Sequence, residues 1–106
     1  MADVVVEAEV DTDGRTVACA KIASGDWELN VRATPLEFAT LDSIRSATWA
    51  SRDSIAVGRS AGARVFWSCD GPTALILIGS DDETWDVALA VPVDVVDRIV
   101  ELVVGL

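Results

Sequence analysis

Residues 74–78 read Ala-Leu-Ile-Leu-Ile, with Gly71-Pro72 before them and Gly79-Ser80 after. No other feature narrows the possible folds as much. The run is far short of a membrane span, which needs about 20 apolar residues. It also lacks the alternation of a strand wetted on one side. A short apolar run between turn formers fits a central strand covered on both faces. The rest of the chain must therefore supply a sheet around it.

The flanking segments supply that sheet. From Asp3 to Val10 the sequence alternates, with Val4, Val6, Ala8 and Val10 on one face and Asp3, Val5, Glu7 and Glu9 on the other. Asp11-Thr12-Asp13-Gly14 reads as a turn leading to a second strand over Arg15–Ile22, whose inward face is ambiguous. Ser24-Gly25-Asp26 turns the chain again, and Trp27, Leu29 and Val31 alternate with Glu28, Asn30 and Arg32. Further strands are expected over Ser54–Arg59, Arg64–Cys69, Thr73–Gly79 and Trp85–Val91. The last places Trp85, Val87 and Leu89 in the core with Leu75 and Leu77.

Two segments break the period of two. Thr34-Pro35-Leu36-Glu37 carries an N-cap, a proline at N1 and a glutamate at N3, which together make a capping box. A helix from Pro35 to about Trp49 should bury Phe38, Leu41 and Ile44, although Thr40, Ser43, Ser46 and Thr48 are poor helix formers. Pro92 opens a closing helix to about Val104. Its wet face is Asp94, Asp97, Arg98 and Glu101, and its dry face is Val96, Ile99, Val100 and Val103. Asp94 is expected to pair with Arg98 one turn on, and Gly105 to stand at C′. The order β-β-β-α-β-β-β-β-α with short connections predicts one α+β domain spanning residues 1–106. Its fold is a two-layer, mainly antiparallel meander sheet with two helices. A closed or strongly curved meander is the alternative.

Composition limits the chemistry. Eighteen acidic residues against eight basic ones give a formal charge of −10. That charge disfavours phosphate-backbone binding and adhesion to anionic membranes. The chain has no histidine, so the commonest general base and zinc ligand are missing. No S-x-x-K motif activates a serine, and the neighbour of Cys69 is an acid, Asp70, rather than a base or cation that would activate it. No catalytic residue, cofactor or metal is expected. Asp11-x-Asp13-Gly14 opens like a calcium loop, but Arg-Thr-Val-Ala follows where further oxygen ligands are needed, so it reads as a hairpin turn. Met1-Ala2-Asp3 opens acidic rather than basic, so no secretory leader is expected. Cys19 and Cys69 then read as reduced, structural thiols in a cytoplasmic protein, with a Cys19–Cys69 bridge as the alternative.

Two segments stand out as candidate contact sites. Asp81, Asp82, Glu83 and Asp86 put four carboxylates into six residues. They suit either solvation or docking to a basic partner, where complementary charge speeds association. Trp49, expected at the end of the first helix and partly exposed, stands near Arg52 and suits a contact anchor. Trp27, Trp67 and Trp85 read as core. Gly58–Arg64 carries two arginines in a glycine-rich turn without phosphate-loop spacing. Its default reading is a β-turn whose arginines pair with the acidic surface, with an anion-binding turn as the alternative.

The size, the charge, the α+β meander and the segment Asp81-Asp82-Glu83-Thr84-Trp85-Asp86 are together similar to small acidic immunity proteins of bacterial polymorphic toxin systems. The resemblance implies a non-enzymatic cytoplasmic module that occludes a basic protein partner, such as a toxin. It assigns no residue role by position. The alternative function is a homo-oligomeric structural or small-ligand-sensing domain, with a homodimer as one form.

Overall fold

In a computed structural model describing residues 2–106, seven antiparallel strands form one sheet in chain order. They are β1 (Ala2–Val10), β2 (Thr16–Ser24), β3 (Trp27–Ala33), β4 (Ile55–Ser60), β5 (Ala63–Asp70), β6 (Thr73–Gly79) and β7 (Trp85–Pro92). Helix α1 (Pro35–Ala39) lies between β3 and β4, and α2 (Val93–Val104) closes the chain. The α+β class and the meander are therefore as the sequence predicts.

Register assigns the two faces of the sheet. Ala20 faces Val31, Trp67 faces Ile76, and Ile76 faces Leu89. These residues, with Ala18, Ile22 and Val65, share one core with Phe38, Leu41, Ile44, Val96, Ile99 and Val103. We call this the inner face. Trp67 is fully buried there and donates its indole N–H to the Val57 carbonyl at 3.0 Å, so its one polar atom is satisfied.

Four expectations are corrected. First, the helix from Pro35 stops after Ala39. The capping box forms, with Glu37 N–H to Thr34 Oγ1 at 3.2 Å and Thr34 N–H to Glu37 Oε1 at 3.0 Å. The chain then tightens into 3-10 turns at Thr40–Ser46 and Trp49–Ser51. The hydroxyls of Thr40 and Ser43 donate back to the carbonyls of Glu37 and Thr40, an alternative to regular helix that such residues offer. Phe38, Leu41 and Ile44 are buried all the same.

Second, Leu77 is buried, but Leu75, Trp85 and Leu89 are only half-buried and Val87 is 44% exposed. β7 is an edge strand, so alternation there does not secure full cover. Third, Arg98 pairs with Glu101 at 3.2 Å and not with Asp94. Fourth, Gly105 caps α2 in a right-handed conformation (φ −84°), so the left-handed C′ role is not used. Cys19 and Cys69 are both free and buried. Cys19 faces Arg32 across β2 and β3, whereas Cys69 belongs to the inner core. Burial pushes the Cys19 thiol up, against the opposing pull of Arg32. No helix among the described residues is long and apolar enough to cross a membrane.

Candidate functional site

The opposite, outer face points away from the core shared with α1 and α2, yet it is not uniformly polar. Leu77 stands opposite Phe66 on β5 and Ala88 on β7, and Phe66 stands opposite Ala56 on β4. Phe66 is only 4% exposed and Leu77 only 2%. Loops and long side chains supply the cover. The Arg64 guanidinium lies 5.2 Å from the Phe66 ring centroid, and the turn after β6 folds back beside this surface. Gly79 permits that fold, because a Cβ there would run into the Trp85 backbone and stand 2.6 Å from the Thr84 carbonyl oxygen.

Two segments more than 30 residues apart in the chain meet on this face. One is the 3-10 turn Trp49–Ser51, held by the sheet. The Ala47 carbonyl accepts the Cys69 backbone N–H at 2.8 Å, and the Ser68 hydroxyl lies 3.0 Å from that carbonyl and 2.7 Å from that of Asp53. These bonds fix both ends of the turn. The other segment is the start of β7. The Trp49 and Trp85 rings meet edge to face, with centroids 5.7 Å apart and planes at 67°. Arg52 stacks its guanidinium 4.0 Å from the Trp49 centroid. It does so from a left-handed backbone (φ 57°), a conformation costly for a residue with a Cβ. Trp49, Arg52, Leu77, Asp82, Glu83 and Trp85 all line one cleft of about 290 Å³.

Of the six residues nominated from the sequence, Trp49, Arg52, Asp82 and Glu83 thus come together. Asp81 and Asp86 do not line this cleft. The Asp81 carboxylate is spent inside its own turn. One oxygen accepts the Thr84 hydroxyl at 2.7 Å, the Thr84 N–H at 2.7 Å and the Glu83 N–H at 2.9 Å. The Thr84 hydroxyl, followed by the two backbone donors, holds this carboxyl below its ordinary value of 3.8. Asp86 lies elsewhere, lining a depression with Arg59 and Arg64. Sequence reasoning placed Trp85 in the core, but it is half-buried and completes the aromatic pair. Its neighbour Leu77 also belongs to the cleft. No sequence spacing links Trp49 to Trp85, because they meet only through the sheet.

The first hairpin turn is as expected. Asp11 Oδ1 accepts the N–H groups of Asp13 and Arg15, both at 2.9 Å, and Gly14 takes a positive φ of 80°. Among the described residues, no three His, Cys, Asp or Glu side chains gather as a metal site would need. No protein-family model, curated protein or solved structure matches the chain.

Proposed function

We propose that this protein is a non-enzymatic binding module of the immunity or inhibitor type. It docks a basic protein partner, in the bacterial cytoplasm, against the cleft between Trp49 and the Asp82–Glu83 turn. One observation carries the reading: an edge-to-face tryptophan pair stands beside two carboxylates that are free of intramolecular hydrogen bonds among the described residues. Half-buried aromatics make up the centre of many interfaces. Carboxylates at their rim steer a cationic surface and fix its register. The occupant is a Lys or Arg side chain of the partner, its charge against Asp82 and Glu83 and its apolar stem against Trp85.

The arrangement needs two layers, with the helices confined to the inner face so that the outer face stays open. The net charge of −10 favours a cationic partner over the whole surface. The strain at Arg52 fits a site whose geometry is held for binding rather than for stability.

The test is affinity capture run in parallel with wild type and the Trp85→Ala variant, followed by binding measurements on any protein retained only by wild type. A cationic partner whose affinity falls at least about tenfold with Trp85→Ala supports the reading. A partner bound equally by both proteins contradicts it.

A further inference from the structure

A second cavity, larger than the tryptophan cleft, lies elsewhere on the molecule. It measures about 580 Å³, lies over β3, β4 and β5, and is lined by Arg15, Arg32, Arg59 and Arg64, with Asp11 and Glu37 among the remaining residues. Half of the chain's eight basic residues therefore face one hollow of a protein with eighteen acidic ones.

Three of these arginines form a row. Arg32 on β3 stands opposite Arg59 on β4, and Arg59 stands opposite Arg64 on β5. Like charges directly opposite one another destabilise a sheet. A β-bulge creates the row. The pairing runs from Ala56 opposite Phe66 to Arg59 opposite Arg64, so β4 carries one residue more than β5 in this stretch. In unbroken register Arg59 would face Ala63 and point to the other side of the sheet. The extra residue returns it to the outer face beside Arg32 and Arg64, as bulges near binding sites re-aim side chains. Gly58 is required there. Its φ is +83°, and a Cβ would stand 2.7 Å from Val31 Cγ1 and 2.8 Å from the Arg32 carbonyl oxygen.

The donors of this row are largely unspent. Arg32 gives its Nε–H to Glu9 at 2.9 Å, and Arg59 gives one N–H to the Gly62 carbonyl at 3.1 Å. Among the described residues, Arg15, Arg59 and Arg64 have no carboxylate within 4 Å. The sequence-based default, arginines paired with the acidic surface, is thus wrong for Arg59 and Arg64. Each guanidinium offers five N–H groups in a planar fork that matches a carboxylate or phosphate two bonds at a time.

We propose that this cavity is a binding site for a small, multiply charged oxyanion ligand bearing phosphate or carboxylate groups. Arg32, Arg59 and Arg64 form its floor, and Arg15 closes one side. A small ligand fits better than a polyanion. Asp11 and Glu37 lie among the lining residues, and the net charge of −10 opposes a broad anionic surface. The site stands independently of the tryptophan cleft.

The full chain is titrated at constant ionic strength with pyrophosphate in one arm and citrate in the other. Nitrogen-15 NMR follows the arginine Nε–H and backbone signals. The site predicts saturable shifts confined to Arg15, Arg32, Gly58, Arg59, Gly62 and Arg64 with at least one probe, and the stronger probe tells phosphate from carboxylate. The Arg59→Gln/Arg64→Gln variant should bind that probe at least about tenfold more weakly. With no ligand it should keep the wild-type backbone spectrum, so that weaker binding is not lost structure. Arg45→Gln, which alters an arginine paired with Asp97 outside the cavity, should bind as wild type does. Non-saturating shifts with both probes, or equal binding by the double variant, would overturn the site.

Discussion

Ala61 sits at the tip of the β4–β5 hairpin with φ +51°, followed by Gly62 at +80°. Ser60 and Ala63 close the turn as a cross-strand pair. Two successive positive φ values define a type I′ turn, which favours Asn-Gly and strains alanine. Ala61→Asn should therefore stabilise the fold by roughly 0.5–1 kcal/mol. A raised denaturant midpoint with unchanged slope is the expected reading, and an unchanged midpoint would show that the turn is not strained. Arg52 bears similar strain beside the tryptophan pair, where its guanidinium stacks on Trp49. Asp81 shows the limit of reading charge as function. Its carboxylate closes a turn, whereas Asp82 and Glu83 beside it line the cleft. All three look alike in the sequence, and only the hydrogen bonds separate them.

Two elements set how well the site is held. The 3-10 segment carrying Trp49 is tied to β5 through the fully buried Ser68. Ser68→Ala leaves the Asp53 carbonyl without that donor and should cost about 1–2 kcal/mol. It should also shorten the lifetime of a docked partner by loosening Trp49. Denaturant melts and dissociation rates check the two effects, and a neutral melt would show that the tie is not needed. On the other side of the sheet, Arg45 of the 3-10 segment grips Asp97 of α2 through two 2.8 Å bonds. That guanidinium holds the Asp97 carboxyl below its ordinary value of 3.8. A carboxyl lowered on folding adds stability above its unfolded value and loses it as pH falls through the folded one. Asp97→Asn should therefore be less stable than wild type at neutral pH, by under about 1 kcal/mol since both side chains are half in water. The difference should close as pH falls below 3.8. A gap that persists in acid would locate the effect in packing instead of charge.

At the scale of the whole molecule, the sheet was legible because its information is local. Alternation in β1 and β3, the apolar run of β6 and the Gly-Asp turns each state their structure within ten residues. The 3-10 stretch was hidden because apolar spacing at Phe38, Leu41 and Ile44 suits either helix type, and backbone competition by Thr40 and Ser43 decides between them. The cleft was half legible. Charge and aromatic type pointed to Trp49, Arg52, Asp82 and Glu83, but the pairing of Trp49 with Trp85 is a product of topology. The arginine row was hidden by one residue. Gly58 inside a strand is a bulge signal, and counting it moves Arg59 to the outer face.

The acidic charge is spread over the whole chain, so docking at the cleft requires that two particular carboxylates do more than the rest. The most direct measurement is the association rate of a partner captured through Trp85, read at two salt concentrations. Wild type is compared with Asp82→Asn/Glu83→Gln and with Asp26→Asn/Glu28→Gln, which removes the same charge from the β2–β3 hairpin. Slower association and a flatter salt dependence are expected for the first variant, with the second close to wild type. Equal rates and equal salt slopes for both variants would contradict docking at the cleft.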